Sequence, residues 1–341
     1  MNWRKLEGPE QDVVINTEAT IVRNLAGKPF PHRMTPATAQ QAIDTITETA
    51  RAIAPDMMVI DLADLSAAER APFLEAGQIG PRVHREDQPA KLLTRESEDL
   101  NLSVLAEDTL QIRAFAAGLQ PRFAAKRAND LAKALEQRLD FATDSQFGYL
   151  TASPANVGTG LRLAVTLHLP GLEVFNQIGK MREALAGIGY RVTGLNGDND
   201  SPAGSLYRVT NRVTLGISMR QIADRIQAVA EKVIEQERQS RRLLAEKRET
   251  EMRDRAGRAL GKLRYAHLTD YREAMETISD IRVGKSLGYI TGLAAKDLLI
   301  MQYAIGPAAI QKRLGHEATE QDINLERAKY MRETAERALS V

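Results

Sequence analysis

Between Leu161 and Leu169 every odd position is Leu or Val, while the even positions carry Arg162, Ala164, Thr166 and His168. Strict alternation sends successive side chains to opposite sides of an extended chain, so this segment reads as a β-strand with one apolar face. A second alternation runs from Leu206 to Leu215. Tyr207, Val209, Val213 and Leu215 share one face, and Arg208, Thr210, Arg212 and Thr214 the other. Gly189 to Leu195 precedes it as a hairpin partner, across the polar loop Asn196 to Gly204. Beyond Gly216 the period changes. Ser218 and Gln221 form a capping-box pair, and Ile222, Ile226, Val229 and Val233 then recur at helical spacing. Strands with one apolar face need a cover, and a long amphipathic helix directly downstream can supply it.

The helix is expected to continue through the highly charged stretch Glu235 to Arg258, as a solvated helix face or a connector between domains. Residues 260–341 read as helical, broken at Gly284, Gly288, Gly306-Pro307 and Gly315. Upstream, Val13, Val14, Ile15, Ile21 and Val22 suggest a short buried strand. Thr35 as N-cap with Pro36 at the first helical position opens a helix through Ala54. Met57 to Asp61 reads as a strand and Arg122 to Phe141 as a helix. Residues 77–99, polar and punctuated by Gly77, Gly80, Pro81 and Pro89, read as a long loop. The division expected is a mixed body over 1–255 and a helical C-terminal domain over 256–341.

Composition narrows the chemistry. The 341 residues carry a formal charge of +1, which gives no reason to expect a nucleic-acid partner. Cysteine is absent, so disulfides, thiol nucleophiles and Cys-based zinc sites are excluded. The histidines at 32, 84, 168, 267 and 316 are scattered and form no close metal-ligand pair. The N-terminal residues lack the apolar core of a secretory signal, and no apolar run is long enough to span a bilayer. A cytoplasmic location without membrane contact is the expectation.

The segment Phe147 to Arg162 joins a helix to the alternating strand. It is rich in Gly, Asn and Thr and ends in an arginine on the polar strand face. Gly158 and Gly160 permit close backbone approach to a ligand, and Arg162 can pair with phosphate in bidentate fashion. A ligand loop and a structural connection both fit these residues.

The same segment resembles the signature of the ATP:guanido phosphotransferases (phosphagen kinases), Cys-Pro-Thr-Asn-(Leu/Val)-Gly-Thr-Gly-(Leu/Val)-Arg. It is most similar to the bacterial protein arginine kinases, which carry Gly-Tyr-Leu-Thr before the cysteine and His-Leu-Pro after the strand. Here these are Gly148 to Thr151 and His168 to Pro170. Gly8-Pro9-Glu10, Arg23 to Leu25, Asn211 to Gly216, Glu235 to Arg238, Asp254-Arg255 and Ser279 to Gly284 fit further blocks, so the similarity spans essentially the whole chain. The resemblance implies an α+β fold: a guanido-kinase-type antiparallel sheet flanked by helices, followed by an all-helical C-terminal dimerisation domain. It implies transfer of the γ-phosphoryl group of ATP to protein arginine, with ATP or ADP and magnesium as cofactors. It also implies dimers and association with Clp proteases.

Departures from that pattern fall on the chemical parts. The family's Ser-Ser-Arg-Ile-Arg-Leu-Ala-Arg block is Asn16 to Arg23 here, with Glu18 and Thr20 in place of two arginines and Arg23 kept. Of the carboxylates in Asn-Glu-Glu-Asp-His-Ile-Arg, Glu107 survives beside Asp108, while the arginine has become Gln111. Ser153 replaces the active-site cysteine and Ser201 the catalytic glutamate. Arg162 and Asp198 remain as nucleotide-side candidates, and Asp322 as the candidate in the phosphoarginine-reading motif, whose spacing is altered. Three arginines lost from phosphate contacts remove about 5–9 kcal/mol at roughly 1.5–3 kcal/mol each. Glu18 is expected to repel phosphate by on the order of 4 kcal/mol at about 4 Å. Arg208 and Arg212 stand where the family has glutamines. Surface charge is their expected role, and partial compensation is the other reading. The expectation is a catalytically impaired pseudokinase acting as a regulatory or dimerisation partner, as a homodimer or beside an active paralogue. The alternative is an active, divergent protein arginine kinase.

Overall fold

A computed structural model describes residues 2–81, 83, 89–195 and 202–339. In chain order the body runs β1 (Val14–Arg23), α1 (Pro36–Ile53), β2 (Met58–Asp61), α2 (Ala67–Glu75), β3 (Lys91–Thr94), β4 (Leu100–Val104) and β5 (Leu110–Ala117). It continues with α3 (Pro121–Glu136), a small hairpin of β6 (Thr143–Asp144) and β7 (Gly148–Tyr149), β8 (Leu161–His168), α4 (Pro170–Val174), α5 (Ile178–Gly187), β9 (Tyr190–Gly194), β10 (Leu206–Asn211) and α6 (Met219–Lys247). The C-terminal unit is α7 (Glu249–Tyr265), α8 (Tyr271–Ser286), α9 (Ala295–Ala304), α10 (Pro307–Leu314) and α11 (Glu320–Leu339).

Eight strands form one sheet in the order β2-β3-β4-β5-β1-β8-β10-β9, with every neighbouring pair antiparallel. The strand expected near residues 13–22 is the ten-residue β1 in the middle of this sheet, buried along its whole length. Its Ala19 and Ile21, with Ile112, Leu163, Val165 and Val209, face a core filled by Ile43, Ile46, Ala128, Leu131, Ile222 and Ile226 of α1, α3 and α6. This is the cover that the switch from period two to helical period demanded.

Two expectations are corrected. Residues 77–99 are not one loop, because β3 lies inside them and pairs with β2 and β4. The charged helix is not continuous to Arg258: it ends at Lys247, Arg248 adopts a non-helical conformation, and α7 starts anew at Glu249. The residues around this break are good helix formers, so only the packing of the next unit reveals it.

The helical unit has its own core and also covers one end of the sheet's second face. Trp3, Ile15, Phe115 and Leu206 join Met275, Ile278, Leu299 and Met301 in one cluster. Asn16 Nδ2 donates to the Tyr303 hydroxyl at 3.3 Å, and His168 Nε2 lies 2.7 Å from Ser279 Oγ. The rest of that face carries polar side chains.

Candidate active site

The strand registers lay the polar face out in rows. Asn101, Arg113, Thr20 and Arg162 stand side by side on β4, β5, β1 and β8. The next row is Phe115, Glu18, Ala164, Thr210 and Arg191, and the one after it includes Asn16, Thr166, Arg208 and Thr193. β1 therefore presents Glu18 and Thr20 to this face and turns Arg23 to the other side.

Arg23 is accordingly not a phosphate contact. It is buried, donates from Nη1 to the carbonyls of Val22 (2.7 Å) and Thr159 (3.0 Å), and stacks on the Tyr149 ring at 3.4 Å from its centroid. Burial pulls its pKa down to about 10. Its work is to hold the glycine-rich loop against the sheet.

Glu18 is the unexpected centre of the face. It is 5% exposed, accepts from Thr20 Oγ1 at 3.0 Å and from Arg208 Nη2 at 2.8 Å. Burial opposes its charge, but Arg208 and Arg113 and the two hydrogen bonds outweigh that and leave its pKa below the ordinary value. The carboxylate is thus ionised and neutralised in place. Arg208 is not simply surface charge, and Glu18 does not face a phosphate as a bare anion. Arg113 sits beside Gln111, donating Nη2 to its Oε1 at 3.3 Å, and Nη1 bonds the carbonyls of Gly77 and Ile79.

The loop before β8 is built on close backbone approach. Gly158 has φ +109°, and a Cβ there would lie 2.4 Å from the Thr214 carbonyl oxygen. Thr159 N–H donates to that same oxygen at 3.1 Å, and the Thr214 hydroxyl bonds the carbonyls of Ala155 (3.0 Å) and Val157 (2.8 Å). Arg162 is pinned by this loop: Nε donates to Asn156 Oδ1 at 2.7 Å, Nη2 to the Ala155 carbonyl at 2.9 Å, and Nη1 to the Asn211 carbonyl. Burial and the nearby charges of Arg212 and Arg191 lower its pKa, so three guanidinium groups gather at this end of the face.

The remaining candidates separate. Asp108 comes against the signature loop, accepting from Asn24 Nδ2 (2.7 Å) and the Ala152 N–H (2.6 Å). Burial raises its pKa, and among the described residues its Oδ2 has no partner. Glu107 is exposed beside it. Ser153 is half-buried, directly after Ala152, and its carbonyl accepts from Thr151 Oγ1 at 2.7 Å. The structure thus brings Glu107, Asp108 and Ser153 to one edge of the loop. Asp322 lies far off in the helical unit, where it caps α11 by exchanging hydrogen bonds with Thr319. Arg327, near that motif, is buried and bonds the carbonyls of Ile305 (2.8 Å) and Thr269 (3.0 Å). Asp198 and Ser201 lie outside the described residues. Among the described residues no group of three or more metal-ligating side chains is present, and no helix is long and apolar enough to cross a membrane.

Sequence reasoning missed the parts played by Arg113 and Arg208. Leu110 to Ala117 and Leu206 to Asn211 both alternate, and strand parity alone puts each arginine on the polar side, but the contact with Glu18 needs the strand order.

Comparisons with known proteins establish the family and the fold. The family model described as ATP:guanido phosphotransferase, C-terminal catalytic domain, matches residues 38–240. The model described as Protein-arginine kinase McsB C-terminal domain matches 249–340. A protein-arginine kinase of Halothermothrix orenii is 33% identical over 97% of this chain and 95% of its own length. Another, of Moorella thermoacetica, is 34% identical over 97% and 96%. Among solved structures, the duplicated taurocyamine kinase of Schistosoma mansoni with transition-state-analogue components aligns with a TM-score of 0.61 at 17% identity, over 77% of this chain and 40% of that one. Lombricine kinase aligns at 0.57 and 16% identity, over 67% and 66%. With its sheet, its glycine loop and both halves of its length accounted for, the chain belongs to the ATP:guanido phosphotransferase family, on the branch of the protein-arginine kinases.

Proposed function

We propose that this chain is a protein-arginine kinase-like protein whose phosphoryl transfer is impaired and whose role is that of a regulatory or dimerisation partner. Transfer to arginine requires a guanidino nitrogen to attack the γ-phosphorus, the bond from phosphorus to the bridging oxygen of ADP to break, and a proton to leave the nitrogen. Protein groups contribute by orienting the guanidinium and by balancing charge on the phosphates. The observation that carries the proposal is the polar face itself, where Glu18 occupies the middle and consumes part of the positive charge. Ser153 adds to it, since its hydroxyl stays neutral where a thiolate would sit beside the guanidinium.

ATP or ADP with magnesium is the ligand this reading calls for, and the charge of the face suits it: Arg162, Arg191 and Arg212 lie within electrostatic reach of one another. Gly158 and Gly160 are filled against Thr214 and Val22 of the chain itself, so they serve the loop's packing rather than a ligand. Magnesium bound to the nucleotide would neutralise phosphate charge. A cytoplasmic setting, a homodimer or pairing with an active paralogue, and Clp-system proteins as partners belong to the same proposal. The test is mass spectrometry for phosphoarginine after incubation with magnesium-ATP and an arginine-rich protein. Absence of product under conditions where a protein-arginine kinase relative is active supports impairment, and comparable yield refutes it. A second reading, an active divergent kinase, draws on one observation: Arg208 and Arg113 restore positive charge beside Glu18.

A further inference from the structure

The family pattern puts an arginine at the position of Glu18 and a glutamine at that of Arg208. In this chain the two have exchanged character, and the structure joins them across 190 residues of sequence. Arg208 starts on β10 and Glu18 on β1, with β8 between them. The residues of β8 that face this gap are Ala164, paired with Glu18, and Thr166, paired with Arg208. Both are short, and that lets one long side chain cross from β10 to β1. The guanidinium therefore ends at the tip of the side chain that stands where the family has an arginine.

Its orientation is fixed from beneath. Glu18 is almost fully buried and held by the Thr20 hydroxyl, so its free oxygen has a defined place. Arg208 gives Nη2 to that oxygen, yet its side chain remains 34% exposed. A guanidinium has more N–H donors than one carboxylate oxygen can take, and donors held at a fixed edge suit phosphate oxygens. Arg113, pinned by the 77–79 carbonyls, adds a second cation within electrostatic reach of Glu18 and Arg208.

We infer that Arg208, positioned by Glu18, is a nucleotide-phosphate ligand of this chain and replaces an arginine lost from β1. The assignment rests on reading the polar face as the nucleotide site, and it makes Glu18 a positioning residue rather than a repulsive one. The guanidinium donor has moved to a neighbouring strand, while the net charge of the pair has fallen from +1 to zero.

The test is calorimetric titration of the full chain with magnesium-ADP and, separately, with adenosine. Wild type is compared with Glu18→Gln, Arg208→Gln and the double variant Glu18→Gln/Arg208→Gln. The double variant leaves no unpaired buried carboxylate, so it reports even where Arg208→Gln alone does not fold. Wild type is expected to bind ADP more tightly than adenosine. The double variant is expected to lose about tenfold or more in ADP affinity, the worth of a charge-assisted hydrogen bond, with adenosine affinity unchanged. Glu18→Gln is expected to lose a smaller, several-fold factor on ADP alone. A purely structural pair would move both ligands together or neither. ADP affinity of the double variant equal to or tighter than wild type overturns the Arg208 assignment and leaves the nucleotide reading standing. Tighter ADP binding by Glu18→Gln overturns the positioning role. A wild type that shows no preference for ADP over adenosine overturns the nucleotide reading and this inference with it.

Discussion

Glu237 is fully buried on α6, yet it carries a carboxylate with three donors aimed at it. The N–H groups of Gly171 (3.0 Å) and Leu172 (2.9 Å), at the unsatisfied start of α4, donate to its two oxygens, and Arg241 Nε donates at 2.6 Å. Arg241 in turn donates to the carbonyls of Asp12 (2.9 Å) and His168 (2.9 Å) and lies 3.1 Å from His168 Nδ1. Burial, with the charges of Arg241, Arg282 and Arg255, holds the His168 pKa well below its usual value, so the imidazole is neutral. It accepts at Nδ1 and donates from Nε2–H to Ser279 of the helical unit. One carboxylate thus anchors a chain of contacts from the N-terminal block to α8.

Replacing Glu237 with Ala strands a buried guanidinium and orphans two N–H groups. Breaking a buried pair from one side costs about 3–5 kcal/mol. Each unsatisfied N–H adds about 1–3 kcal/mol, part of it recovered by relaxation. A loss of about 5 kcal/mol or more is expected, which at roughly 2–4 °C per kcal/mol lowers Tm by more than about 10 °C. Thermal unfolding followed by far-ultraviolet circular dichroism measures it. The double variant Glu237→Met/Arg241→Met removes the stranded charge and should cost less than Glu237→Ala. A Tm change under about 3 °C for Glu237→Ala, or a double variant at least as damaging, would refute the argument.

Three further outcomes follow from the site. Gly158→Ala puts a methyl group 2.4 Å from the Thr214 oxygen at φ +109°, so the loop must shift; loss of about 2–4 kcal/mol in urea unfolding is expected, and a neutral effect would count against this loop geometry. Asp108→Asn should be neutral to stabilising near pH 7 in urea unfolding, because burial disfavours the wild-type charge. The raised folded pKa means that wild type gains stability as pH falls through it toward the ordinary 3.8, so the advantage of the variant should shrink on acidification, and a gap that widens instead would contradict the sign. Glu18→Arg, Thr20→Arg, Gln111→Arg and Ser201→Glu, combined with Arg208→Gln to clear the relocated guanidinium, should yield phosphoarginine by mass spectrometry. A well-folded variant that makes none argues against the residue correspondence.

Local patterns in the sequence carried some elements completely. The alternation from Leu161 became β8, Thr35-Pro36 opened α1, and the Ser218–Gln221 box starts α6 with both of its hydrogen bonds formed. In each case the deciding contacts lie within a few residues. β3 was lost inside residues 77–99 because four residues between turn formers leave too short a period to read. The break at Arg248 has no glycine or proline to announce it. β1 was harder for a different reason. Asn16, Glu18 and Thr20 are polar yet buried on the face opposite the helix-covered core, and a strand buried on both faces with one of them polar violates the pattern used to find strands. The pairing of Glu18 with Arg208 was invisible for the same reason that it matters. It depends on strand order, and a single sequence does not record which strands are neighbours.

The chain contains a single tryptophan, Trp3, buried at the seam between the sheet and the helical unit. Its indole stacks on Phe115 of β5 and meets Tyr303 of α9 edge-on, each at 5.6 Å between ring centroids. Tyr303 also bonds Asn16, two residues before Glu18. The intrinsic fluorescence of this protein is therefore a built-in gauge of that seam. A blue-shifted emission reports the helical unit seated, and a red shift reports water reaching the indole. A ligand on the polar face that rearranges β1 would change the signal with no label attached.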